Sequence, residues 1–151
     1  MSQAAVAPSK VSGHTILAFD FGERWIGVAV GDTETRLASP LGLFEAESSS
    51  RRMSEVESLL REWRPDRLLV GLPFAMEGGE HEMTRRARRF ARQLQARFRL
   101  PVDLADERLS SASAESALRE AGRGARKHKH EAHALAAKII LQSYLDESPR
   151  R

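Results

Sequence analysis

The first part of the chain alternates between short apolar runs and turn residues. Two runs of β type, Ile16–Asp20 and Trp25–Val30, are separated by a tight glycine-containing link and together predict a β-hairpin. A weaker apolar pattern within residues 36–44 predicts a third strand, which Pro40 and Gly42 are expected to break. An antiparallel three-stranded start is therefore expected.

The middle of the chain switches between helical and strand periodicity. One helix is predicted to begin near Ser48–Ser50 and to end at Pro65. Its inward positions are Met53, Val56, Leu59, Leu60 and Trp63. The run Arg67–Leu72 is typical of a buried parallel strand, and Pro101–Ala105 predicts another strand. Between them lies a long helix with an arginine-rich outer face, and its apolar stripe consists of Met83, Ala87, Phe90, Leu94 and Phe98.

The C-terminal part is predicted to contain two helices on either side of a basic loop. Ser111–Ala121 predicts a short helix that Gly122 ends. Residues 122–130 predict a mobile basic loop, and Glu131–Leu145 predicts the last helix. Three strands, then alternating helices and strands, then two helices predict an α/β fold with a mixed sheet and helices on both faces.

The composition sets limits on organisation and chemistry. A length of 151 residues suits one domain, expected over 15–147, with a disordered tail at 1–14 and a short tail at 148–151. No apolar run approaches the roughly 20 residues that cross a bilayer, and the start lacks the pattern of a secretory signal, so a cytoplasmic location is expected. The chain has no cysteine, so a metal would need Asp, Glu or His ligands.

Basic residues are concentrated in two clusters, which the net charge of +3 hides. The first cluster is Arg85, Arg86, Arg88, Arg89, Arg92, Arg97 and Arg99. The second is Arg119, Arg123, Arg126, Lys127 and Lys129, interspersed with His128 and His130. Guanidinium groups match phosphate oxygens, so the clusters favour a nucleic-acid partner. A solvated helix face and a polar loop explain them equally well.

Carboxylates stand at the ends of two predicted strands. Asp20 ends the first strand, while Asp106 and Glu107 follow the last one. Functional groups collect beyond the carboxyl ends of parallel strands, and converging carboxylates are tolerated when a divalent cation neutralises them. Such a site is suited to phosphodiester hydrolysis, with Asp20 as the candidate bridge between two metals. A turn aspartate and a salt-bridged 106–108 loop explain the same residues without any site.

Five segments, in the same order, resemble motifs of the YqgF/RuvX family of Holliday junction resolvases and pre-16S rRNA nucleases. They are DFGERWIGVA at 20–29, VGLP at 70–73, the loop that contains Gly78, DERLSS at 106–111 and LAAKIILQSYL at 135–145. Each motif alone is weak, but five in register over nearly the whole chain are specific. The resemblance implies an RNase H-like α/β fold, with a mixed five-stranded sheet covered by helices on both sides, and a metal-dependent nuclease.

The resemblance also implies a set of site residues. By position, the family's acids correspond to Asp20 and Glu107, while the third position, usually an aspartate, is His133 here. These three are the candidate catalytic and metal-binding residues, with Asp106 as a further candidate ligand. Because imidazole brings no negative charge and favours softer ions than Mg²⁺, the hypothesis is a Mg²⁺ or Mn²⁺ site that tolerates Mn²⁺ well. The alternative is that His133 is an ordinary helix residue in a weakened or dead site.

Basic residues near these positions are candidate phosphate contacts. They are Arg24, Arg85, Arg89, Arg108, Arg126, Lys127 and Lys129. Arg24 and Arg108 adjoin the candidate acids and could organise the carboxylates or contact the scissile phosphate. Lys127 and Lys129 are equally well explained as solvated side chains.

Several functions remain open at this stage. The leading hypothesis is a nuclease that trims structured RNA, with 5′-end processing of pre-16S rRNA implied by the resemblance alone. The same resemblance implies a resolvase of four-way DNA junctions. The missing third carboxylate favours a nucleic-acid-binding regulator without turnover. A sugar kinase or actin-like ATPase shares the Asp-x-Gly hairpin but needs two such domains, for which the chain is too short. No membrane partner is expected, and both a monomer and a homodimer are compatible with the sequence.

Overall fold

The computed structural model describes residues 14–45, 47–73, 79–106 and 125–147, with side chains in the last segment described from residue 132. Five strands and three helices lie in these segments. None of these helices is both long and apolar enough to span a membrane. The predicted helix 111–121 and most of the two predicted tails fall outside the described residues.

The five strands form one mixed sheet. They are β1 (Thr15–Phe21), β2 (Trp25–Asp32), β3 (Leu37–Glu45), β4 (Arg67–Leu72) and β5 (Val102–Asp106). Their spatial order is β3-β2-β1-β4-β5. The first three are antiparallel neighbours, whereas β4 runs parallel to both β1 and β5. The mixed five-stranded sheet predicted from the sequence is confirmed.

The predicted break in the third strand is wrong, because β3 runs without interruption through Pro40 and Gly42. β3 forms one edge of the sheet, where a residue without an N–H group is tolerated. Its pairing with β2 shifts register between Val28 and Ala29, which leaves Leu41 as the extra residue of a bulge. Gly42 adopts φ 153°, a conformation that other residues rarely adopt.

The described helices are α1 (Ser49–Trp63), α2 (Glu82–Phe98) and α3 (Ala125–Glu147). The Ser48 side chain caps α1 by accepting a hydrogen bond from the Arg51 N–H at 3.2 Å. α3 begins earlier than the sequence pattern predicts, so the expected basic loop at 122–130 is wrong for residues 125–130, which are helical. Alanine, arginine and lysine favour a helix, and after Gly124 neither glycine nor proline interrupts it.

The helices cover the sheet on both faces. Leu17, Phe19 and Phe21 of β1 point into a core shared with α1 and α2. The alternate residues Ile16 and Ala18 belong to a second core, against α3. Because side chains alternate along a strand, Asp20 faces α3 as well.

Two glycines of β2 allow α3 to approach the sheet closely. A Cβ on Gly27 would lie 2.0 Å from the carbonyl oxygen and 2.3 Å from the carbonyl carbon of His133. A Cβ on Gly31 would lie 2.8 Å from a Leu141 methyl group. The absence of side chains at these positions therefore sets the distance between α3 and the sheet.

Polar contacts fix α3 to both halves of the sheet. On the β3 side, Gln142 accepts a hydrogen bond from the Ala38 N–H at 3.0 Å and donates one to the Arg36 carbonyl at 2.9 Å. On the other side, the Tyr144 hydroxyl donates a short hydrogen bond to Asp103 of β5. Arg67 of β4 contacts the same Asp103 oxygen at 3.2 Å. Burial, followed by the hydrogen bond to Asp103, raises the pKa of Tyr144 to about 12.

We expect Gly27→Ala to destabilise the protein by roughly 1–3 kcal/mol, at the upper end of that range because the new Cβ meets backbone atoms of α3. Urea denaturation followed by circular dichroism measures this change. Gly79→Ala is the matched control, because a Cβ at Gly79 has nothing within 4 Å. Equal unfolding midpoints for the two variants would contradict the close-approach explanation.

We expect Tyr144→Phe to lower the free energy of unfolding by about 1 kcal/mol at neutral pH, since a hydrogen bond is lost. The raised pKa means that the stabilisation is complete below the pKa of an unfolded tyrosine, about 10. It is lost as the pH rises toward about 12. The stability difference between wild type and variant should shrink over that window, and a constant difference would contradict this account. Because Tyr144 is the only tyrosine, phenolate absorbance reports its titration directly.

Candidate active site

Asp20 lies near the carboxyl end of β1, with a glycine beside it on each neighbouring strand. It pairs with Gly27 of β2 and with Gly71 of β4. Neither neighbour has a side chain, so the Asp20 carboxylate is not crowded from within the sheet. The Asp20 side chain is nevertheless only 6% exposed. A buried carboxylate requires polar partners.

His133 of α3 is one of those partners. Its Nδ1 atom lies 3.1 Å from Oδ2 of Asp20, and its side chain is 34% exposed. The main chain of His133 rests against Gly27, while its imidazole lies over Gly22, where a Cβ would come within 2.8 Å of the ring. The β1–β2 hairpin therefore positions both residues of the pair.

The geometry of the pair determines which ring nitrogen is available for chemistry. When the Asp20 carboxylate is ionised it can only accept a hydrogen bond, and Nδ1 of His133 is then the nitrogen that carries the proton. In the neutral imidazole, Nε2 then bears the lone pair. A carboxylate that orients a histidine in this way is common in both metal-binding and acid–base sites.

The donor set of the pair fits a divalent cation in part. A carboxylate oxygen with an imidazole nitrogen suits Mn²⁺ and related ions. Within the described segments, however, no group of three His, Asp or Glu side chains comes close enough to hold an ion. Asp20 and His133 therefore supply at most two protein ligands of a site that needs more.

Asp106, the candidate acid at the end of β5, is separated from Asp20 by β4 in the sheet. Asp106 pairs with Leu72 of β4 and lines a cavity together with Ile140 and Ser143 of α3. Glu107 follows immediately in the sequence and lies outside the described residues.

The candidate phosphate contacts are distributed over several elements. Arg24 is exposed in the β1–β2 turn, close to the end of β1. Arg85 and Arg89 are exposed on α2, and Arg85 forms an ion pair with Glu82 at 3.2 Å. Arg108 and the side chains of Arg126, Lys127 and Lys129 lie outside the described part of the chain.

The sequence analysis did not single out Arg52. This residue is in the first turn of α1, and its guanidinium lies 5.8 Å from the centre of the Phe21 ring. Burial lowers its pKa, and the charges of Arg86 and Arg89 on α2 lower it further. In the sequence, the arginines of α2 stand out as a run along one helix. The proximity of Arg52 to Arg86 and Arg89 involves two helices, so no pattern of neighbouring residues indicates it.

The sheet order and its helical cover are those of an RNase H-like fold, with an acid at the end of β1. Among solved structures, Thermus thermophilus RuvC in complex with a Holliday junction substrate superposes with a TM-score of 0.52 at 20% identity, covering 87% of this chain and 93% of that chain. This likeness is one of fold.

The sequence comparisons then identify the family. The sequence model of the family described as "RuvX: Holliday junction resolvase" matches residues 14–147. The chain belongs to this family, as the resemblance predicted. A relative from Dechloromonas aromatica is 50% identical over 89% of this chain and 92% of its own length. One from Methylobacillus flagellatus is 46% identical over 92% of this chain and 95% of its own length. Both relatives are named as candidate pre-16S rRNA nucleases.

We expect Asp20 and His133 to be energetically coupled in the absence of metal. A double-mutant cycle with Asp20→Asn and His133→Gln, measured by urea denaturation in EDTA, should give a coupling of about 0.5–3 kcal/mol. The exposed pair Arg85 and Glu82 provides the control cycle, with an expected coupling of about 0.5 kcal/mol or less. A coupling no larger than that of the control would show that the buried contact is not formed in solution.

Proposed function

We propose that this protein is a metal-dependent nuclease that hydrolyses phosphodiester bonds in structured RNA, with 5′-end processing of pre-16S rRNA as its role. The pairing of Asp20 with His133 at the end of β1 carries the proposal. It places an acid and an imidazole together on the face of the sheet that α3 covers. Membership in the RuvX family and the names of the relatives support the assignment to nucleic-acid cleavage.

The residues proposed to hold the cation are Asp20, His133 and Glu107. The first two fit by donor type and lie close together. Glu107 is proposed because it follows β5 directly and occupies the acidic position of the family motif. The chemistry that Mg²⁺ or Mn²⁺ supplies in such sites is polarisation of a phosphoryl oxygen and activation of a water nucleophile.

The protein's own contribution is positioning and charge. Asp20 is buried within β1 and orients His133 through the 3.1 Å contact. The exposed part of His133 leaves the site open to a strand that approaches from solvent. Arg24, exposed in the adjoining turn, is the described basic residue nearest in sequence to Asp20 and is proposed to contact the backbone near the scissile bond.

A second candidate function is resolution of four-way DNA junctions. The description of the family and the RuvC structure with its junction substrate favour it. The two candidates differ in substrate rather than in the chemistry of the site. A cytoplasmic location, the state of oligomerisation and the one-domain organisation over 15–147 stay predictions.

The decisive test compares cleavage of a 5′-extended RNA stem and a four-way DNA junction in Mg²⁺ and in Mn²⁺. Replacing residues that merely support metal ligands costs about 10–100-fold, so Asp20→Asn should reduce cleavage at least on the order of 100-fold. Glu34→Gln, in the exposed β2–β3 turn, is the control and should cleave like the wild type. Cleavage of the junction alone would select the resolvase. Activity that survives Asp20→Asn would contradict the proposed site.

His133→Asp tests the imidazole specifically. A second carboxylate beside Asp20 should increase binding of Mg²⁺ relative to Mn²⁺, because hard oxygen ligands suit Mg²⁺ better than imidazole does. Calorimetric titration with each ion and cleavage rates in each ion measure the change. Unchanged metal affinity together with unchanged cleavage would place His133 outside the site.

A further inference from the structure

The end of β1 is flanked on its other face by a cluster of cations from two helices. Arg52 of α1 lies over the ring of Phe21, the residue that follows Asp20. The Phe21 ring lies 5.2 Å from the ring of Phe90 on α2. On that helix, Arg86 precedes Phe90 by one turn and Arg89 is its neighbour. We call Arg52, Arg86 and Arg89 the seam cluster.

The geometry of the two helices keeps the seam cluster together. Gln93 of α2 contacts Ser49 of α1 at 3.4 Å, one helical turn from Arg89 and Arg52 respectively. The Nε atom of Arg52 is inaccessible to solvent, so its side chain is held against Phe21 rather than extended into water. The three guanidinium groups are therefore brought together by packing, although their like charges repel.

Other arginines of α2 are arranged differently. Arg88 is paired with Glu80 at 2.6 Å, and Arg85 is paired with Glu82 at 3.2 Å. Among the described residues, no ion pair joins Arg86 or Arg89 to a carboxylate. The positive charge of Arg86 and Arg89 is thus less compensated than that of Arg85 and Arg88.

We propose that the seam cluster binds a backbone phosphate of the substrate strand, next to the scissile bond and on the α1/α2 side of β1. The proposal rests on the proposed nuclease function for the identity of the ligand, a nucleic-acid phosphodiester. Asp20 and Phe21 are consecutive residues of β1, so their side chains face opposite sides of the sheet. A strand that crosses the end of β1 therefore contacts the Asp20–His133 pair and the seam cluster together. The cluster contributes position and register, without reading bases.

Binding is tested without cleavage, with a fluorescein-labelled single-stranded RNA in EDTA over a series of salt concentrations. Arg89→Gln should weaken binding on the order of fivefold and lower the slope of log Kd against log salt by about 0.7, the value for one phosphate contact in a single strand. Arg52→Gln should act in the same direction. Because Arg52 also packs on Phe21, its replacement can disturb folding. Arg89 is exposed, so Arg89→Gln tests the proposal even if Arg52→Gln does not fold.

The matched control is Arg61→Gln, which removes an equal charge from the exposed surface of α1. Binding and salt slope should stay within twofold of wild type, because Arg61 is paired with Glu57 at 3.1 Å. Equal losses for Arg61→Gln and Arg89→Gln would overturn the proposal, since a general effect of surface charge would explain both. Arg89→Lys keeps the charge and should restore most of the affinity.

A titration with inorganic phosphate distinguishes binding of a phosphate within a nucleic-acid strand from binding of a free anion. If phosphate raises the melting temperature in wild type but not in Arg89→Gln, while RNA affinity is the same in both, the cluster binds free anions and the proposal fails. Failure of the nuclease function gives a different pattern. In that case cleavage is absent from the wild type, whereas the loss of RNA binding in Arg89→Gln persists.

Discussion

The main chain of His133 lies against Gly27 at a distance that leaves no room for a β-carbon. At this point α3 packs closely against β2 of the sheet. This close packing brings the imidazole of His133 to the carboxylate of Asp20. The core beneath α3 and the polar contacts farther along the helix hold the same approach over several turns. Site and fold are therefore not separable, because the packing that buries Ile140 and Leu141 also positions the chemical groups.

Much of the fold was predictable because the strands of this sheet are strongly patterned. β1 and β4 are continuous apolar runs, and their burial on both faces leaves few alternatives. The errors arose where tertiary context overrides local signals. β3 tolerates Pro40 because it lies at an edge, and residues 125–130 join α3 although their charge suggested a loop. Neither the edge position of β3 nor the early start of α3 can be inferred from residues close in sequence.

The residues of the candidate site differ in how far they could be predicted from the sequence. Asp20 follows from its position at the end of an apolar strand, but His133 was identified only through resemblance to a family, because nothing in its own helix distinguishes it. Arg52 was missed, since its relation to Arg86 and Arg89 exists only once α1 and α2 pack side by side. β4 lies between Asp106 of β5 and Asp20 of β1, a consequence of the sheet order that no spacing along the chain reveals.

Pro40 affects whether another strand can pair with the edge strand β3. An exposed strand normally offers a row of N–H and C=O groups onto which a foreign strand can be added. Proline removes one donor from that row, and the bulge at Leu41 bends the remainder away from a flat template. Growth of the sheet by addition of a strand beyond β3 is thereby discouraged.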